Sequence, residues 1–182
     1  MASIKETPSQ TAGPYIHIGC LPDFAGLEQR RFGAPLGREM TAAPEAFELS
    51  IKILDGAGEL VRDAMIEIWQ ASPDGEYSSD EFSGWGRGAC DLETGDCTFK
   101  TLKPGPKGDQ APYINVWITA RGINIGLTTR IYFPDEGEAN SNDPVFRMAG
   151  ERAATMIATR TNRGYTHEIR LQGDQETVFF DV

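Results

Sequence analysis

Few residues in this 182-residue sequence could carry acid–base, nucleophilic or metal chemistry. There are two histidines, His17 and His167, and three cysteines, Cys20, Cys90 and Cys97. A cysteine nucleophile needs a base placed to take its proton, and neither histidine has a cysteine near it that makes a convincing pair. Packed or surface imidazoles are expected at both positions. Cys90 and Cys97 do not form a CxxC pair, and two histidines leave little for zinc. The cysteines are too few and too irregular for a disulfide framework, so reduced thiols and a cytoplasmic setting are expected. Gly84-Trp85-Gly86-Arg87-Gly88 is faintly like a phosphate loop. It lacks the Lys-Ser/Thr step and does not sit between a strand and a helix. An irregular loop is the expectation there.

The elements that must position any site follow from composition and period. Asp plus Glu outnumber Lys plus Arg by 27 to 17, a net charge of -10, which disfavours phosphate backbones and anionic lipid. Neither a nucleic-acid nor a membrane role is expected; no apolar run approaches a bilayer span, and the first residues carry no apolar signal segment. Twenty glycines and 11 prolines exceed the usual share and imply many turns. Residues 1–46 show neither helical nor strand period and are expected to form a long irregular arm. From Phe47 onward apolar residues alternate. Strands are expected at Phe47–Ile53, Ala64–Trp69, Thr98–Leu102, Tyr113–Ala120, Ile125–Phe133, Tyr165–Leu171 and Thr177–Phe180. Residues 78–96 read as loop. Asp143 as N-cap and Pro144 at the first helical position predict one helix through the following residues, with Gly150 weakening its continuity. The expectation is an all-β sandwich over 47–182 behind the arm of 1–46, one domain over 1–182, with one short helical insertion.

Longer motifs go further. Thr7-Pro8-Ser9-Gln10-Thr11-Ala12-Gly13-Pro14-Tyr15 resembles the N-terminal arm of the intradiol ring-cleaving dioxygenases. The resemblance continues through Glu67-Ile68-Trp69-Gln70-Ala71, Asp74-Gly75-Glu76-Tyr77, Thr101-Leu102-Lys103-Pro104-Gly105, Ala120-Arg121-Gly122-Ile123-Asn124-Ile125, Thr129-Arg130-Ile131-Tyr132-Phe133 and Gln175-Glu176-Thr177-Val178-Phe179-Phe180-Asp181. It implies the family's β-sandwich fold and its chemistry, cleavage of a catechol ring by O₂ at a non-haem Fe(III). Catalytic chains of the family hold that ion through two tyrosines and two histidines, oxygen and imidazole donors that suit ferric iron. Carried over by position, the first tyrosine falls on Tyr77 and the second on Lys107. The His-x-His pair falls on Tyr113-Ile114-Asn115, and an arginine before it falls on Gln110. An ammonium cannot ligate Fe(III).

The resemblance therefore implies a vestigial metal site at Tyr77, Lys107, Tyr113 and Asn115, with no metal held by this chain. It implies the family's iron-free type of subunit, whose Fe(III) is bound by a partner β chain. In that arrangement the arm residues Thr11, Gly13, Pro14 and Tyr15, together with Arg121, would line the pocket for a carboxylated catechol such as protocatechuate. A guanidinium can meet that carboxylate through two hydrogen bonds. Two other readings stay open at this point. One is a self-sufficient homomeric intradiol enzyme, the other a non-catalytic β-sandwich binding module. Tyr77 and Tyr113 as packing residues and Arg121 in a surface salt bridge are the plain alternatives for those positions.

Overall fold

The structure, a computed structural model, describes residues 11–13, 15–22, 24, 26, 37–77 and 82–181. Among the described residues eight strands form two four-stranded sheets. They are β1 (Phe47–Leu54), β2 (Met65–Gln70), β3 (Trp85–Ala89), β4 (Cys97–Thr101), β5 (Tyr113–Thr119), β6 (Leu127–Tyr132), β7 (Thr159–Arg160) and β8 (Gly164–Arg170). The first sheet runs β4-β1-β8-β7 and the second β3-β2-β5-β6. All pairs are antiparallel except β1 with β8. Between the sheets lie alternate residues of each strand: Leu49, Ile51 and Ile53 from β1, Ile66 and Ile68 from β2, Ile114, Val116 and Ile118 from β5, and Ile169 from β8. Period-two alternation thus divides each strand into a core-facing row and an outer row. The chain has the β-sandwich fold with a helical segment.

Several local expectations are corrected. The Gly84–Gly88 stretch is not an irregular loop: Trp85–Ala89 is strand β3, an edge paired to β2. Its alternation is invisible in sequence because Gly86 and Gly88 stand where core-facing side chains would be. A Cβ on Gly86 would lie 2.9 Å from Met40 Sδ, and one on Gly88 2.5 Å from Arg38 Cδ. The segment carrying those residues joins the edges of the two sheets. Met40 N donates to Lys100 O and Lys100 N to Arg38 O on β4, while Arg87 N of β3 donates to Gly37 O.

Nor is the arm without regular structure. Tyr15–Cys20 forms a short helix, α1, whose Ile16 and Cys20 pack with Leu21 on Met65 and Ala89, on the outer face of the second sheet. Thr177–Phe180 is not a strand. One isolated bridge joins Phe180 to Thr128, and the Val178 carbonyl accepts from the Thr129 hydroxyl rather than from a ladder partner.

The helical insertion is broken. A helix at Gly137–Asn142 (α2) precedes one at Pro144–Met148 (α3), and a 3₁₀ stretch follows at Gly150–Met156. Asp143 does cap α3, accepting from Val145 N and Phe146 N. Gly150, at φ +58°, ends it, a left-handed conformation that glycine adopts without penalty. The insertion covers a second apolar cluster of Ala111, Tyr132, Ala153 and Met156 on the outer face of the second sheet. Among the described residues no helix is long and apolar enough to cross a membrane.

Candidate functional site

Strand β5 organises both groups of residues singled out by the sequence. Its odd-numbered residues, Tyr113, Asn115 and Trp117, face outward from the second sheet, opposite the core-facing Ile114, Val116 and Ile118. The expected vestigial metal positions gather near its first residue, and Arg121 lies just past its last. Six residue steps from Tyr113 to Thr119 span about 20 Å, so the two groups occupy opposite ends of one strand.

At the first end, the Tyr77 hydroxyl donates to the Tyr113 hydroxyl at 3.0 Å, and the Tyr77 ring packs edge-on to Trp69 with centroids 5.0 Å apart. Arg130, on β6 directly opposite Asn115, lays its guanidinium 3.8 Å over the Tyr113 ring. It donates to Gln110 Oε1 at 3.0 Å and to the Tyr132 hydroxyl at 3.3 Å. Burial and the bond to Tyr113 push the Tyr77 phenol far above its ordinary pKa. Burial raises Tyr132 to about 12. Both are neutral phenols at any working pH.

Lys107 does not join the group. Its ammonium pairs with Glu76 at 2.9 Å, an exposed contact of little energetic weight. Three of the four expected positions, Tyr77, Tyr113 and Asn115, thus come together and the fourth turns to solvent. Arg130 and Tyr132 were not singled out by sequence reading. The available signal was the two-residue alternation of Thr128, Arg130 and Tyr132 on the strand facing Tyr113 and Asn115.

This group does not fit a ferric ion. It offers two phenols, one amide and no imidazole, and the Arg130 guanidinium lies against the ring of a would-be ligand, where a trivalent cation would be repelled. Among the described residues no group of three His, Cys, Asp or Glu side chains could hold a metal. His167 stands on the first sheet, apart from this outer-face group on the second. It lies in the interior on β8, and burial drops its pKa to about 4. Cys90 and Cys97 are likewise buried free thiols, with burial raising Cys90 to about 12.

At the other end of β5, Ala120–Ile123 make a tight turn in which Ile123 N donates to Ala120 O and Gly122 takes φ +85°. Two outside groups fix it. Thr11 Oγ1 of the arm accepts from Gly122 N at 2.6 Å. Asp63 Oδ2 accepts from Arg121 N at 3.3 Å and from Arg121 Nε at 2.6 Å. The salt bridge weighed as the plain reading of Arg121 is therefore present, yet 74% of the Arg121 side chain stays open to solvent. Thr11 and Arg121, about 110 positions apart, are brought to one turn. Gly13 accepts from Ile16 N as the chain enters α1, and Tyr15 stands 79% exposed at the helix start. Pro14 lies outside the described residues.

No family model matches the chain. It is 41% identical over 200 residues to the protocatechuate 3,4-dioxygenase alpha chain of Pseudomonas putida, covering 98% of this chain and 97% of that one. It is 28% identical over 153 residues to the protocatechuate 3,4-dioxygenase beta chain of Burkholderia cepacia, covering 75% of this chain and 61% of that one. Among solved structures it superposes on the dioxygenase domain of a dioxygenase carbohydrate-binding fusion from Streptomyces sp. SirexAA-E. The TM-score is 0.58 at 20% identity, over 91% of this chain and 96% of that one, a likeness of fold. Near full-length similarity and a shared sandwich place the chain: it belongs to the protocatechuate 3,4-dioxygenase alpha chains, within the intradiol ring-cleaving dioxygenases.

Proposed function

We propose that this chain is the iron-free α subunit of a protocatechuate 3,4-dioxygenase and that a β chain is its obligate partner. The observation that carries this is the 41% identity to an α chain over nearly the full length of both. The misfit of Tyr77, Lys107, Tyr113 and Asn115 to iron supports it, because a self-sufficient enzyme needs those donors. The αβ assembly would split protocatechuate between its two hydroxylated carbons to give 3-carboxy-cis,cis-muconate. Both atoms of O₂ enter the two new carboxylates; the ring gives up four electrons and O₂ takes up four, so no further reductant is needed. Fe(III) held by the β chain would supply the activation of catechol and O₂.

The work of this chain is pocket wall, anchoring and assembly. Arg121 anchors the substrate carboxylate, a task that needs a local cation because the chain as a whole is acidic. The arm residues Thr11, Gly13 and Tyr15 would form the wall beside it, tied to the Arg121 turn by the Thr11–Gly122 bond; the Pro14 assignment rests on the family resemblance. The sandwich carries the Arg121 turn. The test is co-expression with a β chain of the same family and assay of protocatechuate with O₂. Ring cleavage by the co-purified pair, absent from this chain alone, is the expected result. Ring cleavage by this chain alone would favour a homomeric enzyme. Failure to associate with any β chain would favour a binding module.

A further inference from the structure

We propose that Asp63 is a positioning residue for the substrate carboxylate, resting on the reading of Arg121 as its anchor. An arginine has five N–H donors in a planar fork. Asp63 Oδ2 takes the Nε donor at 2.6 Å and also accepts from the Arg121 backbone N. One carboxylate oxygen therefore fixes both the root of the side chain and the inner edge of the guanidinium. Nη1 and Nη2 make no hydrogen bond to any described residue, so the outer edge stays open for a second carboxylate. That edge can offer two parallel N–H donors to a planar anion.

The burial of the two partners follows the same division. The Asp63 side chain is 26% exposed against 74% for Arg121, so the holder is rooted and the held group reaches outward. Thr11 pins the next residue of the same turn, Gly122, from the arm side. A freely rotating exposed arginine would have to be ordered by each substrate molecule; here the ordering is built in before binding.

Asp63 also acts in the opposite direction, because its charge repels an incoming carboxylate. The two effects separate by substitution. Asp63→Asn keeps an acceptor oxygen for Nε and removes the charge, whereas Asp63→Ala removes both. If Asp63 positions Arg121, the asparagine variant matches or exceeds wild type and the alanine variant falls below it. If Asp63 only competes with substrate for Arg121, both variants improve.

The experiment measures kcat/KM for protocatechuate and for unsubstituted catechol in the αβ holoenzyme at matched iron content. It covers wild type, Asp63→Ala, Asp63→Asn and Arg121→Ala, each checked by thermal melting. The expected result is a loss of about tenfold on protocatechuate for Asp63→Ala, with catechol within about twofold. Asp63→Asn is expected to restore wild-type use of protocatechuate. Should the alanine variant fail to assemble, Asp63→Glu displaces the oxygen by one methylene at constant charge and should show the same substrate-selective loss. An equal loss on both substrates, a gain in Asp63→Ala, or no rescue by Asp63→Asn overturns the proposal while leaving Arg121 as anchor. An Arg121→Ala complex with no carboxylate-selective loss removes the anchor itself, and this role of Asp63 with it.

Discussion

Arg121 and His167 are the side chains whose environments make the sharpest statements about single residues. Arg121→Ala in the αβ complex should lower kcat/KM for protocatechuate by roughly ten- to a hundredfold, the range for a hydrogen bond to a charged group. Catechol, which has no carboxylate, should lose much less. Steady-state kinetics on both substrates check it. His167 makes a prediction about stability. Its folded pKa is about 4, below the ordinary 6.5, because burial penalises the charged ring. The unfolded chain therefore binds more protons between those values. The contribution is fully present above pH 6.5, is lost as pH falls toward 4, and changes no further below that; its full size is on the order of 3 kcal/mol. Chemical denaturation from pH 7.5 to 4 should show this decline, and His167→Leu should flatten it. At this scale the sequence was partly legible. The i, i+2 rule put Tyr113 and Asn115 on one face, and the structure brings Tyr77 to them. Arg130 and Asp63 were not legible, because their importance lies in partners supplied by other strands and turns.

Element by element, the strands with a clean period were readable and those whose periodicity was masked were not. The core-facing rows of β1, β2 and β5 are isoleucine-rich and stood out. β3 did not, since two of its five residues are glycines that admit the 37–40 segment. Gly88→Val should therefore destabilise the fold by about 1–3 kcal/mol through overpacking against Arg38 and Cys97, a shift measurable by thermal or urea unfolding. The insertion was legible at its start and not at its end. Asp143 and Pro144 gave the helix N-terminus, while the left-handed turn at Gly150 redirects the chain into a 3₁₀ stretch and the short strand β7. Asp143 does more than cap. Fully buried, it also accepts from Ala111 N at 3.0 Å, tying the insertion to the loop before β5. Asp143→Ala strands three backbone donors and should cost about 2–4 kcal/mol. Asp143→Asn, which keeps one of the two acceptor oxygens, should cost less in the same unfolding measurement.

Over the whole molecule, one sandwich carries two distinct side-chain groups at opposite ends of β5. One end of β5 holds two hydrogen-bonded phenols with the Arg130 guanidinium stacked on the Tyr113 ring. The other end keeps a turn, an exposed cation and the arm that docks on it. Family-level motifs made both ends legible in sequence. What they could not supply was how the arm is seated, because the link from Thr11 to Gly122 and the α1 contact with Met65 and Ala89 span most of the chain. In the proposed assembly the chemistry sits on a partner and recognition is shared with this chain. Iron content and visible absorption, measured for this chain alone and co-purified with a β chain, test it most directly. The chain alone should carry no stoichiometric iron and no tyrosinate-to-Fe(III) band, and the complex about one iron per αβ pair with that band. One iron per chain with the same band from the chain alone would contradict it.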